Sequence, residues 1–97
     1  MYARVITATI KLENLKEIDK IERDFVLPSA KKLKGFKGFY ALVDRKTGKG
    51  MVVTLWNAEA DMMASESSTY YKENNAKLAP FFSTQPAVEH YEVSIKK

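Results

Sequence analysis

Cysteine is absent from this chain of 97 residues, which removes disulfides and thiolate chemistry together. A single histidine, His90, cannot assemble an all-protein zinc site, so neither metal nor cofactor is expected. Glycine and proline are sparse, with four and three residues, and form no tract that reads as a linker. A second core could not be built from what a first would leave, so one domain over residues 1–97 is expected. Long hydrophobic runs are also missing. The apolar stretch after Arg4 breaks at Lys11 with charged residues following, so neither a signal peptide nor a membrane span is read and the cytoplasm is the default location.

The chain has 45% hydrophobic and 29% charged residues, ordinary values for a globular protein. Net charge is +4, and the excess lies in Lys31, Lys32, Lys34 and Lys37, in Arg45, Lys46 and Lys49, and in Lys96 and Lys97. Those segments read as a helix end, a hairpin loop and a tail, where lysine is solvated or complements a helix dipole. The structural reading therefore outweighs a polyanion site.

Residues 2–12, YARVITATIKL, are rich in β-branched side chains and read as the first strand, with Tyr2, Ile6, Ala8, Ile10 and Leu12 on one face. Asn14 followed by Glu17 predicts a capped helix start, and Leu15, Ile18, Ile21 or Glu22, and Phe25 then recur at helical spacing. Pro28 predicts a kink or restart before an end near Gly35, with Leu33 and Phe36 continuing the buried stripe. Strands near 38–44 and 50–56 form a hairpin whose loop uses Gly48 for positive φ. Both faces of this hairpin are apolar, so a layer is expected on each side.

Asn57 reads as the cap of a second helix with Glu59 and Asp61 in its first turn. Ser65, Ser67, Ser68 and Thr69 predict a bend, a further helical piece follows over 68–78, and Pro80 ends it. The last strand is expected near 87–95. The resulting order, βαββαβ, is that of a ferredoxin-like α+β fold with four antiparallel strands and the helices on one face. An apolar sheet face would then lie open, and a homodimer packed sheet against sheet removes it.

GlyPheLysGlyPheTyr after the first helix, the charged hairpin loop, LeuTrpAsn with its acidic helix start, and the closing ValGluHisTyrGluVal strand resemble the antibiotic biosynthesis monooxygenase (ABM) family. The likeness runs over nearly the whole chain and implies a dimeric α+β barrel. That superfamily includes cofactor-independent oxygenases of aromatic polyketides and haem-degrading enzymes. The haem-degrading branch would place an asparagine on strand one, a tryptophan in the second helix and a ligating histidine ten residues on. This chain has Thr7 or Thr9, Ser65 and Asn75 there, which leaves no ligand for iron.

The cofactor-free branch asks for less. Its phenolic substrates form anions that pass an electron to dioxygen, so the protein supplies an apolar cavity, donors for the phenolate and a base. The resemblance thus implies Trp56 as a ring wall and indole donor, Tyr71 as a phenol donor and His90 as a base, with Asn74, Asn75 and Tyr70 against the substrate. Each also has a packing reading, which is the stronger residue by residue. Trp56 is core or interface with its N–H on backbone, one of Tyr70 and Tyr71 packs, and His90 lies on a surface or interface. Phe81 and Phe82 seal one end of the core or the subunit contact, and Met62 and Met63 fill gaps.

Two rival classes remain in view. An RNA-recognition module shares the element order, but its aromatic signature is met only by Lys37, Gly38, Phe39, Tyr40 and Ala41, on the second strand rather than the third. Nucleic acid is therefore not an expected partner. A non-catalytic homodimer that binds a small molecule, or serves structure alone, is the stronger rival, since no nucleophile motif or phosphate loop is present.

Overall fold

The computed structural model describes residues Met1–Lys97. Strand β1 (Tyr2–Thr9) leads through a 3₁₀ turn (Leu12–Asn14) into α1 (Leu15–Ile21). A π turn (Glu22–Val26) and α2 (Leu27–Ala30) continue the same helical path. The hairpin of β2 (Phe36–Val43) and β3 (Lys49–Trp56) follows, then α3 (Glu59–Ser65), α4 (Thr69–Leu78) and β4 (Ala87–Glu92). The four strands form one antiparallel sheet in the order β2-β3-β1-β4, which is the ferredoxin-like topology read from the sequence.

Several local expectations are corrected. β1 stops at Thr9, because Ile10 leaves the ladder to bridge Phe82 and donates its N–H to Gly48 O at 2.8 Å. The Asn14 side chain caps nothing, since the 3₁₀ turn already delivers the chain to Leu15. Asn57 is likewise not a cap: Ala58 holds that position, and the Asn57 N–H donates to Gly35 O at 2.7 Å. The last strand ends at Glu92 rather than near residue 95.

Pro28 does not break the helix. In regular α geometry its ring would crowd the Asp24 carbonyl and offer it no N–H. The preceding turn widens instead, with Leu27 N–H reaching back to Glu22 O. Ser29 Oγ donates to the Phe25 and Val26 carbonyls at 2.8 and 3.0 Å, so the disturbed turn keeps partners. The wider turn also rotates Phe25 off the buried stripe: it is 50% exposed, with Lys77 Nζ 5.1 Å from its ring.

Two glycines meet backbone requirements no other residue would. Gly48 (φ +81°) closes the hairpin loop as predicted, and a Cβ there would sit 2.1 Å from Ile10 O. Gly35 (φ +81°) ends the first helical path, and a Cβ would sit 2.3 Å from Asp61 Oδ2. The serine bend forms as read, with Ser68 Oγ accepting from Tyr71 N at 3.1 Å to start α4.

The core gathers at one end of the molecule. Ile10, Leu15, Ile18, Ile21 and Leu78 are buried together, with Val26, Val43, Phe81 and Phe82 packed against them. Phe81 and Phe82 therefore seal this end. Met62 is buried, whereas Met63 is 46% exposed and does not fill the core as expected.

The antiparallel register sorts the sheet into two faces. Arg4, Ile6 and Ala8 share the helix side with Thr54, Val52 and Gly50 of β3, with Phe39, Ala41 and Val43 of β2, and with Val88 and His90 of β4. Val5, Val53 and Tyr40 lie on the other side, as do Met51, Leu42, Leu55 and Tyr91. No helix covers that second face: Tyr40, Leu42 and Tyr91 are 56, 52 and 50% exposed.

Candidate functional site

Between the helices and the sheet lies a cavity of about 570 Å³, within the range of small-molecule sites. The strand alternation that sends Ile6, Ala8, Ala41 and Val52 toward the helices makes its floor apolar. α4 contributes Tyr70, Tyr71, Asn74, Asn75 and Leu78 to the opposite wall, and the first helical path contributes Ile18, Glu22, Val26, Ser29 and Leu33. These paths run antiparallel, since Lys77 meets Phe25 while Asn74 Nδ2 donates to Ser29 Oγ at 2.7 Å.

Arg4 holds one end. It is 5% exposed, and its guanidinium lies 4.7 Å from the Tyr71 ring and 5.3 Å from that of Trp56. Nη1 donates to Ser65 Oγ at 2.5 Å and Met62 O at 3.3 Å, and pairs with Glu66 Oε2 at 3.5 Å. Burial holds this guanidinium below its ordinary pKa, with Tyr71 and Glu66 opposing the shift. The same Glu66 oxygen lies 2.5 Å from His90 Nε2, so a polar chain runs from the edge strand to the cavity wall.

Glu22 belongs to the other end. It follows Ile21 in the cluster closed by Leu78, is 7% exposed, and leaves its enclosed Oε2 without a hydrogen-bond partner. Burial, with a smaller contribution from Asp19, pushes its carboxyl up to about 7. Asp19 itself is paired with Arg45 of the hairpin loop at 2.9 Å. Tyr71 and Leu78 are seven residues apart on α4, so the two charged ends stand roughly 10 Å apart along that helix.

The structure thus brings Tyr70, Tyr71, Asn74 and Asn75 to one cavity. Trp56 and His90 stand outside its lining. Trp56 is fully buried, meets Phe36 edge-on at 5.8 Å, and donates its indole N–H to Thr54 Oγ1 at 2.9 Å, a side chain rather than the expected backbone acceptor. Tyr70 is 39% exposed, with Lys32 Nζ 5.5 Å from its ring, whereas Tyr71 packs. Ser65, where the haem-degrading pattern has tryptophan, is buried under Arg4.

Arg4 and Glu22 were not singled out from the sequence. The available signal was a charge at an inward-facing position: Arg4 falls in phase with Ile6 and Ala8, and Glu22 shares the apolar stripe of Leu15 and Ile18.

No family model matches the chain. It is 30% identical over 95 residues to an uncharacterized protein of Mycobacterium tuberculosis, covering 97% of this chain and 41% of that protein. The chain therefore spans about two fifths of the length of the curated relatives it matches. Among solved structures, a Nitrosomonas europaea protein provisionally named an antibiotic biosynthesis monooxygenase superposes with a TM-score of 0.83 at 14% identity. The match covers 98% of this chain and all of that one (100%). A protein of unknown function from the same organism gives 0.81 at 20% identity over 99% of this chain and 91% of that one. Another antibiotic biosynthesis monooxygenase gives 0.79 at 14% identity over 98% and 100%. The ABM-type α+β fold read from the sequence is the fold of this chain.

Proposed function

We propose that the chain is an ABM-type, cofactor-independent monooxygenase acting on a small aromatic or apolar molecule. The observation that carries this reading is the apolar cavity of about 570 Å³ with Tyr71, Asn74, Arg4 and Glu22 on its walls. An apolar enclosure disfavours solvation of the neutral substrate less than that of its anion, so the polar groups at the two ends supply what water would. Asn74 or Asn75 donates to the phenolate oxygen, Tyr71 at the other end donates to the oxygen being reduced, and Tyr70 covers the rings. Trp56 acts by holding Arg4, and His90 acts through Glu66. The substrate anion gives electrons to dioxygen, and for an anthrone the outcome is a quinone and one water.

Oxygen uptake with anthrone or a hydroquinone tests this directly. The wild-type protein accelerates uptake over buffer, and Tyr71→Phe together with Asn74→Ala lowers the rate by about tenfold to a hundredfold, the loss expected for removing donors to a developing anion. Uptake no faster than in buffer would favour the second reading, a non-catalytic dimer whose cavity only binds.

Assembly is part of the proposal. Tyr40, Leu42, Val53, Leu55 and Tyr91 make an apolar face too broad for a solvated sheet, and a second copy packed on it closes the barrel. Native mass spectrometry at micromolar concentration gives twice the chain mass of 11.0 kDa. A spectrum showing one chain alone would overturn the dimer.

A further inference from the structure

Only two buried side-chain atoms lack a hydrogen-bond partner, Arg4 Nε and Glu22 Oε2, and both residues line the cavity. Buried polar groups are almost always paired, and a carboxyl left without partners in an apolar site marks a group kept for something that comes and goes. No cation reaches Glu22: the nearest acid, Asp19, has taken Arg45. The carboxyl thus lines the cavity without a partner from the chain, and a ligand group in the cavity is what can approach it.

We infer that Glu22 accepts the hydroxyl proton of the cavity's ligand, which lies with that hydroxyl at the Leu78 end and its rings extending toward Arg4 and Tyr71. This rests on the reading of the cavity as an aromatic site. In the transfer the ligand O–H bond breaks and a Glu22 O–H bond forms. The electron pair stays on the ligand oxygen, and the negative charge moves from carboxylate to phenolate. No oxidant enters this step.

The ligand class follows from the charges on the walls. An ammonium group would pair with Glu22 alone, but the rest of the molecule would then lie against the cationic Arg4, and the second acid, Asp19, is already neutralised. A neutral hydroxyarene suits both ends, since its electron-rich rings face Arg4 and its acidic hydrogen faces the carboxyl. The other titratable groups lining the cavity are Arg4 on β1, Asp19 on α1, and Tyr70 and Tyr71 on α4, and of these only Asp19 moves the Glu22 carboxyl. Its value of about 7 matches a base that is ionised in half the molecules near neutrality.

Binding of 2-naphthol, 2-methoxynaphthalene and 2-(aminomethyl)naphthalene is measured by fluorescence titration at pH 8 and pH 5.5, in wild type, Glu22→Gln and Glu22→Leu. At pH 8 the wild type prefers naphthol to its methyl ether by about tenfold or more, the worth of a hydrogen bond to a charged acceptor. The preference shrinks at pH 5.5, where Glu22 is protonated, and falls to within about twofold in Glu22→Leu, which still binds the ether. Equal binding of naphthol and ether by wild type, or a preference that survives in Glu22→Leu, overturns the role of Glu22 while leaving the aromatic cavity intact. Tighter binding of the amine than of naphthol overturns the ligand class. Binding of none of the three overturns the inference together with the reading beneath it.

Discussion

Trp56→Ala lowers the unfolding free energy by about 4 kcal/mol, the usual cost of truncating a fully buried tryptophan. The ring has no exposed surface, so the whole of its apolar area is lost from the core and little of the resulting space can collapse, because Phe36 stands against it edge-on. The substitution also removes one of the two aromatic rings that lie against the Arg4 guanidinium. A domain of this size holds about 5–15 kcal/mol in total, so the variant sits near the margin of folding at room temperature. Urea unfolding measures the change through the midpoint. A loss below about 1 kcal/mol would mean that the ring is not packed as described.

Trp56→Phe separates packing from chemistry. Phenylalanine keeps most of the ring contact and the wall for Arg4 but lacks the indole N–H, whose acceptor, Thr54 Oγ1, can turn its hydroxyl elsewhere. If Trp56 serves the site through Arg4, this variant keeps most of its oxygen uptake. A rate that falls to the buffer level in a folded Trp56→Phe protein would instead assign the indole N–H to the reaction.

Glu22→Gln stabilises the protein at pH 8 by about 3 kcal/mol and leaves it nearly unchanged at pH 4, since a tenfold change in proton affinity corresponds to about 1.4 kcal/mol. The carboxyl titrates at about 7 in the folded chain against an ordinary 4.5, so between those values the folded state holds a proton that the unfolded state has released. Stability therefore falls as pH rises from about 4.5 to about 7, and above that the loss is complete. Glutamine imitates the protonated acid in shape and neutrality, so it keeps the low-pH stability at every pH. Thermal unfolding at pH 4, 6 and 8 reads the difference as a gap in melting temperature that opens with pH, on the order of 10 °C at the alkaline end. A gap that is constant with pH would show that Glu22 titrates normally.

The two substitutions point in opposite directions for one reason. Trp56 fills its site completely, whereas Glu22 is buried with an oxygen that nothing in the chain satisfies. The ligand inferred for the cavity is what this costly arrangement would serve.

Local patterns by themselves determined the order of elements and the topology. Alternation in YARVITATIKL, the glycine at Gly48, the serine bend before α4 and the helical spacing of Leu15, Ile18 and Ile21 each rest on contacts or dihedral limits within a few residues, and those are legible without coordinates. From them βαββαβ and the ferredoxin-like sheet follow. Cap identity was less legible: Asn14 holds the N-cap position of α1 but its side chain makes no capping bond, and Ala58 takes the place read for Asn57. The detail at Pro28 also escaped, since a strained helix can break, restart or widen, and packing of both flanking turns on α4 favours the π turn.

Of the site, Tyr70, Tyr71, Asn74 and Asn75 could be named from one helix, but only the tertiary structure showed that they share a cavity with Arg4 and Glu22, 18 residues apart in sequence and on facing layers. A charged residue in an apolar pattern gives no sign of which neighbour meets it. Burial and the absence of a partner are properties of the assembled layers, and burial, with the Asp19 charge adding to it, pushes an ordinary glutamate up to about 7.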